Sequence, residues 1–204
     1  MFNANSYAAA RINLSRLAAL ILIGALCVTN SRWTGDNALV GSLLALLGWA
    51  LLAIGVLGRV WSGSYICGRK NEQLMMVGPY SVCRNPLYLF SFIGGFGAML
   101  VTQTLFFPVV FVAIFLSYYQ PVMRSEEHTL RRLHGEKFEK FRHNVPLFWP
   151  QSFHFVESDQ YPICARHFRR FLTEVFWFIV FAAVMQLIHY LHRVGTLPSW
   201  YSVY

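Results

Sequence analysis

The chain has 204 residues, of which 56% are hydrophobic and only 13% are charged, and 17 Lys+Arg against 9 Asp+Glu give a formal net charge of +8. Soluble domains carry about 25% charged residues, and disordered chains are poor in hydrophobic ones. This composition therefore excludes both classes and indicates a membrane protein. The length allows one domain with a small appendage.

The first two predicted membrane spans are stretches without Asp, Glu, Lys or Arg, at Leu17–Ser31 and Asn37–Gly58. The first is followed by Arg32 and Trp33 instead of a small-residue cleavage site, so we interpret it as a retained helix and not as a signal peptide. In the second, glycines recur every seven residues and predict a small-residue seam against another helix: Gly41, Gly48 and Gly55.

The next uncharged stretch, Asn85–Met123, is too long for one span and about right for two. Its polar interruption at 102–104 predicts a tight hairpin of two helices, roughly Pro86–Val101 and Leu105–Val122. A fifth apolar run covers Val175–Leu191. The sequence thus predicts an all-α, polytopic membrane protein with about five transmembrane helices.

The basic residues predict the orientation, because Lys and Arg concentrate in cytoplasmic segments. If the N-terminus is cytoplasmic, residues 1–16, 59–86 and 124–170 face the cytoplasm and hold 15 of the 17 basic residues. We therefore expect both large polar segments, and any active site they form, on the cytoplasmic face. The positive charge then reflects topology and indicates no nucleic-acid partner.

The polar segment before the hairpin, residues 72–88, contains two turn-forming dipeptides. Gly78-Pro79 predicts a turn, and Asn85-Pro86 predicts that the third span begins at Pro86 with Asn85 as its cap. Such a helix start at a membrane surface suits a carboxylate or phosphate. The alternative is a purely structural segment, in which Arg84 reaches out to lipid headgroups.

The segment after the hairpin, residues 124–141, has the pattern of an amphipathic interfacial helix that could break at Gly135. Glu126 and Glu127 stand out, because carboxylates near the hydrocarbon boundary are costly without partners. A cationic ligand or Arg124 would supply one. We predict Glu126, Arg124 and Glu127 as the catalytic residues.

Together the two segments resemble the isoprenylcysteine carboxyl methyltransferases and the related phospholipid methyltransferases. The first motif ends in Arg84-Asn85-Pro86-Leu87-Tyr88, and the second begins at Glu126-Glu127. The other matching residues are Gly78, Pro79, Tyr80, Leu130, Gly135, Phe138, Phe141, Val145 and Pro146. The resemblance covers about half of the chain, roughly residues 40–150.

The resemblance implies a cofactor, S-adenosylmethionine, at the cytoplasmic ends of the helices. The residues that it implies for the adenosine portion are Glu72, Gln73, Leu74, Met75 and Tyr80, and those for the rest are Asn85, Pro86, Leu87 and Tyr88. The residue matching Glu126 helps to form the acceptor pocket in the family, with an arginine one turn earlier. Here that earlier position is Val122, and the family's usual histidine is Asn85. The acceptor therefore need not be the prenylcysteine carboxylate of the namesake enzymes.

The predicted function is methyl transfer from S-adenosylmethionine to a lipophilic or membrane-embedded acceptor. On this hypothesis Arg124 orients an anionic acceptor, or Glu126 takes the proton of an amine. Two alternatives stay open: an NADPH-dependent membrane reductase of the steroid-reductase type, and a non-catalytic membrane partner that keeps the fold.

We predict two regions, a methyltransferase core at 1–150 and a polar linker with one more transmembrane helix at 151–204. The last helix is expected to cover a lipid entrance or to mediate self-association as a homo-oligomer. The expected partners are membrane lipids and the acceptor. The four cysteines stand far apart without C-x-x-C spacing, so we predict buried thiols and no metal site.

Overall fold

The computed structural model describes residues 20–34, 37–68, 73–151, 155–157, 160–161 and 163–204. Most of these residues are helical. The first helix, α1, is described over residues 20–28. It is followed by α2 (Ala38–Ile66), α3 (Pro79–Val82), α4 (Pro86–Leu100), α5 (Phe106–Asn144) and α6 (Ala165–Arg193), with two short strands, β1 (Thr29–Ser31) and β2 (Tyr201–Val203).

Three helices in the described ranges are long and apolar enough to cross a membrane, namely α2, α5 and α6. Helix α4 is apolar but has only 15 residues. At ~1.5 Å per residue it is shorter than the ~30 Å hydrocarbon core. The prediction of a helical membrane protein with several spans is therefore confirmed. Among the described residues, three helices are long enough to span and one apolar helix is shorter, whereas about five spans were predicted. Residues 17–19 of the predicted first span lie outside the described residues.

Helices α2 and α4 pack closely because glycines let their backbones approach. A Cβ atom at Gly48 would lie 2.7 Å from the backbone nitrogen of Val101, and one at Gly97 would lie 2.5 Å from that of Leu52. Gly55 faces Gly94 at a still closer approach. The predicted seam on α2 is thus confirmed, and its partner is the first helix of the hairpin.

The hairpin of α4 and α5 is confirmed, and residues 101–104 of its connection are buried rather than exposed. Thr102 and Thr104 are each 2% exposed, and their hydroxyl groups lie 2.9 Å apart. Helix α5 then runs on to Asn144, so the amphipathic segment is not a separate helix. It does change direction at Gly135, whose φ of 50° is the left-handed conformation that glycine adopts without strain.

The chain closes on itself at this hairpin end. Strand β1 pairs in parallel with β2, and the backbone N–H of Phe106 donates to the carbonyl of Tyr204 at 2.8 Å. The buried imidazole of His192 lies 3.0 Å from the carbonyl of Leu26 and 3.0 Å from that of Leu197. These contacts fix one end of the bundle, and the functional residues converge at the other.

Candidate functional site

A cleft of about 490 Å³ opens at the end of the bundle opposite the hairpin. Five helices contribute to its walls: the C-terminal part of α2, α3, the start of α4, the middle of α5 and the start of α6. Clefts of roughly 300–1,000 Å³ typically hold small ligands and cofactors. We call this cavity the cleft below.

Most of the residues predicted to bind the cofactor line the cleft. Gln73, Leu74 and Met75 form one wall, and the start of α4 contributes three further residues, Asn85, Leu87 and Tyr88. Pro86 is the buried first residue of α4 and does not line the cleft. Glu72 lies outside the described residues.

Tyr80 lies in the wall of the cleft on α3 and is only 6% exposed. Its hydroxyl oxygen is buried and has no hydrogen-bond partner among the described residues. Burial, together with the nearby Cys83 and Glu126, raises the pKa of Tyr80, so the phenol stays protonated at neutral pH. A protonated hydroxyl without a partner is available to donate a hydrogen bond to a ligand.

The two sequence motifs meet directly below the cleft. Arg84 and Glu127 form an ion pair with 2.6 Å between Nη1 and Oε1, and the backbone N–H of Arg84 donates to the carbonyl of Pro146 at 2.9 Å. The Asn85 side-chain amide donates to the carbonyl of Leu147 at 3.1 Å. Asn85 occupies the N-cap position of α4, as predicted, but its side chain makes no capping hydrogen bond.

The three predicted catalytic residues on α5 have different surroundings. Glu126 lines the cleft, and its charge interacts with Tyr80. Glu127 turns to Arg84, because successive residues on a helix point about 100° apart. Arg124 is exposed and does not line the cleft. The partner of Glu127 is thus Arg84 and not Arg124, and Arg84 does not extend to headgroups, since only 10% of its side chain is exposed.

The C-terminal region also lines the cleft, a contribution that the sequence did not indicate. The first turns of α6 supply four lining residues: His167, Arg170, Phe171 and Glu174. The segment before α6 is also anchored to the first motif, because the N–H of Gly78 donates to the carbonyl of Val156 at 2.7 Å. The polar and aromatic residues at the start of α6 indicated this role only weakly, since such residues commonly anchor a span at the membrane interface.

Arg59 was also missed, although it is one of the charged residues that line the cleft. It follows directly on the uncharged run of α2 and donates through Nη1 to Ser91 Oγ on α4. Its guanidinium carbon lies 5.5 Å and 5.1 Å from the ring centres of Phe171 and Phe178. The position of Arg59 in α2 could have indicated a site residue, because an arginine inside a spanning helix is costly unless it faces a protein interior.

The cysteines differ in exposure and reactivity. Cys83 is 1% exposed, and burial raises its pKa to about 11. Cys164, immediately before α6, is exposed, contrary to the expectation of buried thiols. Its Sγ lies 3.0 Å from Nδ1 of His167, and this contact lowers the pKa of Cys164. Within the described ranges, no group of three or more His, Cys, Asp or Glu residues could hold a metal ion.

Fold and site define a helical membrane protein with a ligand cleft at one end of its helices, built from two motifs that flank a hairpin. Comparison with known families places residues 31–137 in the phospholipid methyltransferase family, and the chain belongs to this family. The resemblance seen in the sequence is thereby confirmed.

Two curated relatives are similar over nearly the whole chain. The nickel-cobalt-cadmium resistance protein NccN of Alcaligenes xylosoxydans xylosoxydans is 30% identical, covering 93% of this chain and 88% of the relative. The cobalt-zinc-cadmium resistance protein CzcN of Cupriavidus metallidurans is also 30% identical, covering 93% and 86%. No solved structure matches the chain significantly. The similarity to the two relatives extends well beyond the family match.

Proposed function

We propose that the protein transfers the methyl group of S-adenosylmethionine to a lipophilic acceptor at the membrane surface. One observation carries this proposal: both family motifs line a single cleft, with Tyr80 and Glu126 in its wall. Apolar residues such as Leu74 and Met75 suit the adenosine portion of the cofactor. Because this cleft opens between helices that are long enough to span a bilayer, an acceptor can approach from the lipid.

The reaction is an in-line displacement at the methyl carbon. When bound, S-adenosylmethionine would supply its methyl group to a lone pair of the acceptor, with cleavage of the bond between carbon and sulfur, and would leave as S-adenosylhomocysteine. The residues of the cleft align the two reactants and exclude water. For a protonated amine acceptor, the carboxylate of Glu126 would take the proton.

The names of the relatives suggest a biological setting for this reaction. NccN is named for resistance to nickel, cobalt and cadmium, and CzcN for resistance to cobalt, zinc and cadmium. We propose that methylation of a membrane-associated acceptor by this protein contributes to tolerance of such divalent metals. In a deletion strain, expression of the wild-type gene should then restore growth in cobalt or cadmium, and expression of Glu126→Gln should not. Rescue by Glu126→Gln, which keeps every cysteine and histidine, would instead support a non-enzymatic role.

Ligand binding separates methyl transfer from the reductase alternative. In thermal unfolding of the detergent-purified protein, S-adenosylhomocysteine should raise the midpoint and NADPH should not. Radiolabelled S-adenosylmethionine with total membrane lipid should then give a labelled organic-soluble product that is absent with Glu126→Gln. Stabilisation by NADPH alone would overturn the proposal, and binding of neither nucleotide would favour a non-catalytic partner.

We further propose that the cleft faces the cytoplasm. The argument is the distribution of basic residues along the chain. Cys164 provides a test, because it is exposed beside the cleft, whereas Cys67 and Cys83 are buried. In a Cys27→Ala background, a membrane-impermeant maleimide should label Cys164 in inverted vesicles and not in intact cells. Labelling in intact cells would place the cleft on the other side.

A further inference from the structure

The guanidinium group of Arg59 is a buried cation whose hydrogen-bonding capacity is only partly used. Nη1 donates to Ser91 Oγ, and Ser91 in turn donates to the carbonyl of Leu87 at 2.5 Å. Nε is buried and has no hydrogen-bond partner among the described residues. Guanidinium offers five N–H donors and cannot deprotonate in a protein, so this side chain carries its charge into the cleft permanently.

The protein compensates that charge only in part. None of the ion pairs in the described part of the chain includes Arg59, and two phenylalanine rings cover its guanidinium group. Glu174 exerts an electrostatic attraction on Arg59, but its carboxylate lies 3.8 Å from Nε of Arg170. A buried charge of this kind is costly unless an anion is paired with it.

The position of Arg59 is central to the cleft. Tyrosines from three other helices lie close enough to interact electrostatically with it, Tyr80 on α3, Tyr88 on α4 and Tyr119 on α5. Tyr80 interacts in the same way with Glu126. Arg59 and Glu126 therefore both lie near the Tyr80 phenol, so that a cation and a carboxylate line the same part of the cleft.

We propose that Arg59 is the anion-binding residue of the cleft and holds an oxyanion of a bound ligand. Guanidinium pairs with carboxylates and phosphates through parallel hydrogen bonds, and aromatic faces beside it keep water away from the pair. Two ligands could bring the oxyanion: the cofactor, through its amino-acid carboxylate, or an acidic acceptor. The first source rests on the proposed function.

Matched ligand pairs distinguish the two sources. S-adenosylhomocysteine is compared with its decarboxylated analogue, and palmitate with hexadecanol, by titration against wild type, Arg59→Gln and Arg59→Lys. If Arg59 holds the cofactor carboxylate, Arg59→Gln should weaken binding of S-adenosylhomocysteine about tenfold or more and leave the analogue nearly unchanged. If it holds an acidic acceptor, the same selective loss should appear for palmitate. The affinity of Arg59→Lys should lie between those of wild type and Arg59→Gln, because lysine keeps the positive charge but lacks the parallel N–H donors of guanidinium.

The members of each pair that lack a carboxylate also show whether a variant is folded, because they should still bind. Arg169→Gln is the matched control, since Arg169 is an exposed arginine at the start of α6 that does not line the cleft. A selective loss with Arg59→Gln and not with Arg169→Gln supports the proposal. Equal weakening of both members of each pair, or no effect on either pair, overturns it. If S-adenosylhomocysteine does not bind wild type while palmitate binds through Arg59, the proposed function fails and this inference stands.

Discussion

The guanidinium of Arg84 and the carboxylate of Glu127 lie 2.6 Å apart, with 10% and 19% of their side chains exposed, and they join the segment before the hairpin to the helix after it. Burial lowers the pKa of Arg84 and the Glu127 charge opposes this shift, so the arginine remains charged at neutral pH. The pair therefore holds two walls of the cleft at a fixed separation.

We predict that Arg84→Met or Glu127→Gln destabilises the protein by about 3 kcal/mol, because either change leaves a buried charge unpaired. The double variant should recover much of this loss, since it removes both charges. Thermal unfolding in detergent measures the effect. Arg131→Met is the control: its pair with Glu139 has the same 2.6 Å separation, but the side chains are 62% and 39% exposed, so the cost should be below about 1 kcal/mol. Equal losses at both sites would contradict the prediction.

The sequence predicted well the features that depend on local composition. Uncharged runs predicted the helical hairpin and the three long apolar helices, and the seven-residue spacing of glycines predicted the packing face of α2. The extent of α5 was missed, because a helix that passes from lipid into a charged surface changes composition at the boundary without ending. The family resemblance supplied Tyr80 and the start of α4 as site residues, and the cleft contains them.

Contacts between distant segments were less predictable. Nothing in the local sequence indicates that α6 would bring Phe171 to Arg59, or that Arg84 rather than Arg124 would pair with Glu127. Such choices depend on how the helices are arranged in space. An isolated arginine inside a hydrophobic helix was nevertheless visible, and the energetic cost of that residue in lipid was the available signal.

A second prediction concerns the contact between α2 and α4. Gly97→Ala would place a Cβ 2.5 Å from the backbone nitrogen of Leu52 and 2.6 Å from the carbonyl oxygen of Gly48, so the helices must separate. Overpacking of this kind costs about 1–3 kcal/mol. We expect a lower unfolding temperature and weaker ligand binding, because both helices line the cleft. Gly24→Ala is the control, since nothing lies within 4 Å of its added Cβ. An unchanged unfolding temperature for Gly97→Ala would show that the seam is looser than described.

A third prediction concerns the pH dependence of thiol reactivity. The contact with His167 lowers the pKa of Cys164, so its thiolate forms at lower pH than that of an ordinary cysteine. The alkylation rate of Cys164 by iodoacetamide should therefore rise with pH and level off early, and His167→Ala should shift this profile to higher pH. Because His167 lines the cleft, a bound ligand should slow the reaction. Buried Cys83, with its pKa raised to about 11, should stay unmodified in the folded protein and serves as the internal control. If the pH profile of Cys164 alkylation is the same in His167→Ala as in wild type, the imidazole does not lower the pKa of Cys164.

The last prediction separates stability from binding at Tyr80. Its hydroxyl is buried without a partner among the described residues, so Tyr80→Phe removes an unsatisfied polar group and should leave the unfolding temperature equal or slightly higher. If the hydroxyl donates to a ligand in the cleft, the same change should weaken binding of S-adenosylhomocysteine by about 1 kcal/mol, or roughly fivefold. Because its pKa is raised, the phenol should keep this role unchanged through neutral pH. Tyr118→Phe, on α5 but outside the cleft, should change neither quantity. Calorimetric titration and thermal unfolding measure the two effects. A loss of stability with unchanged affinity would mean that Tyr80 supports the wall of the cleft and does not contact the ligand.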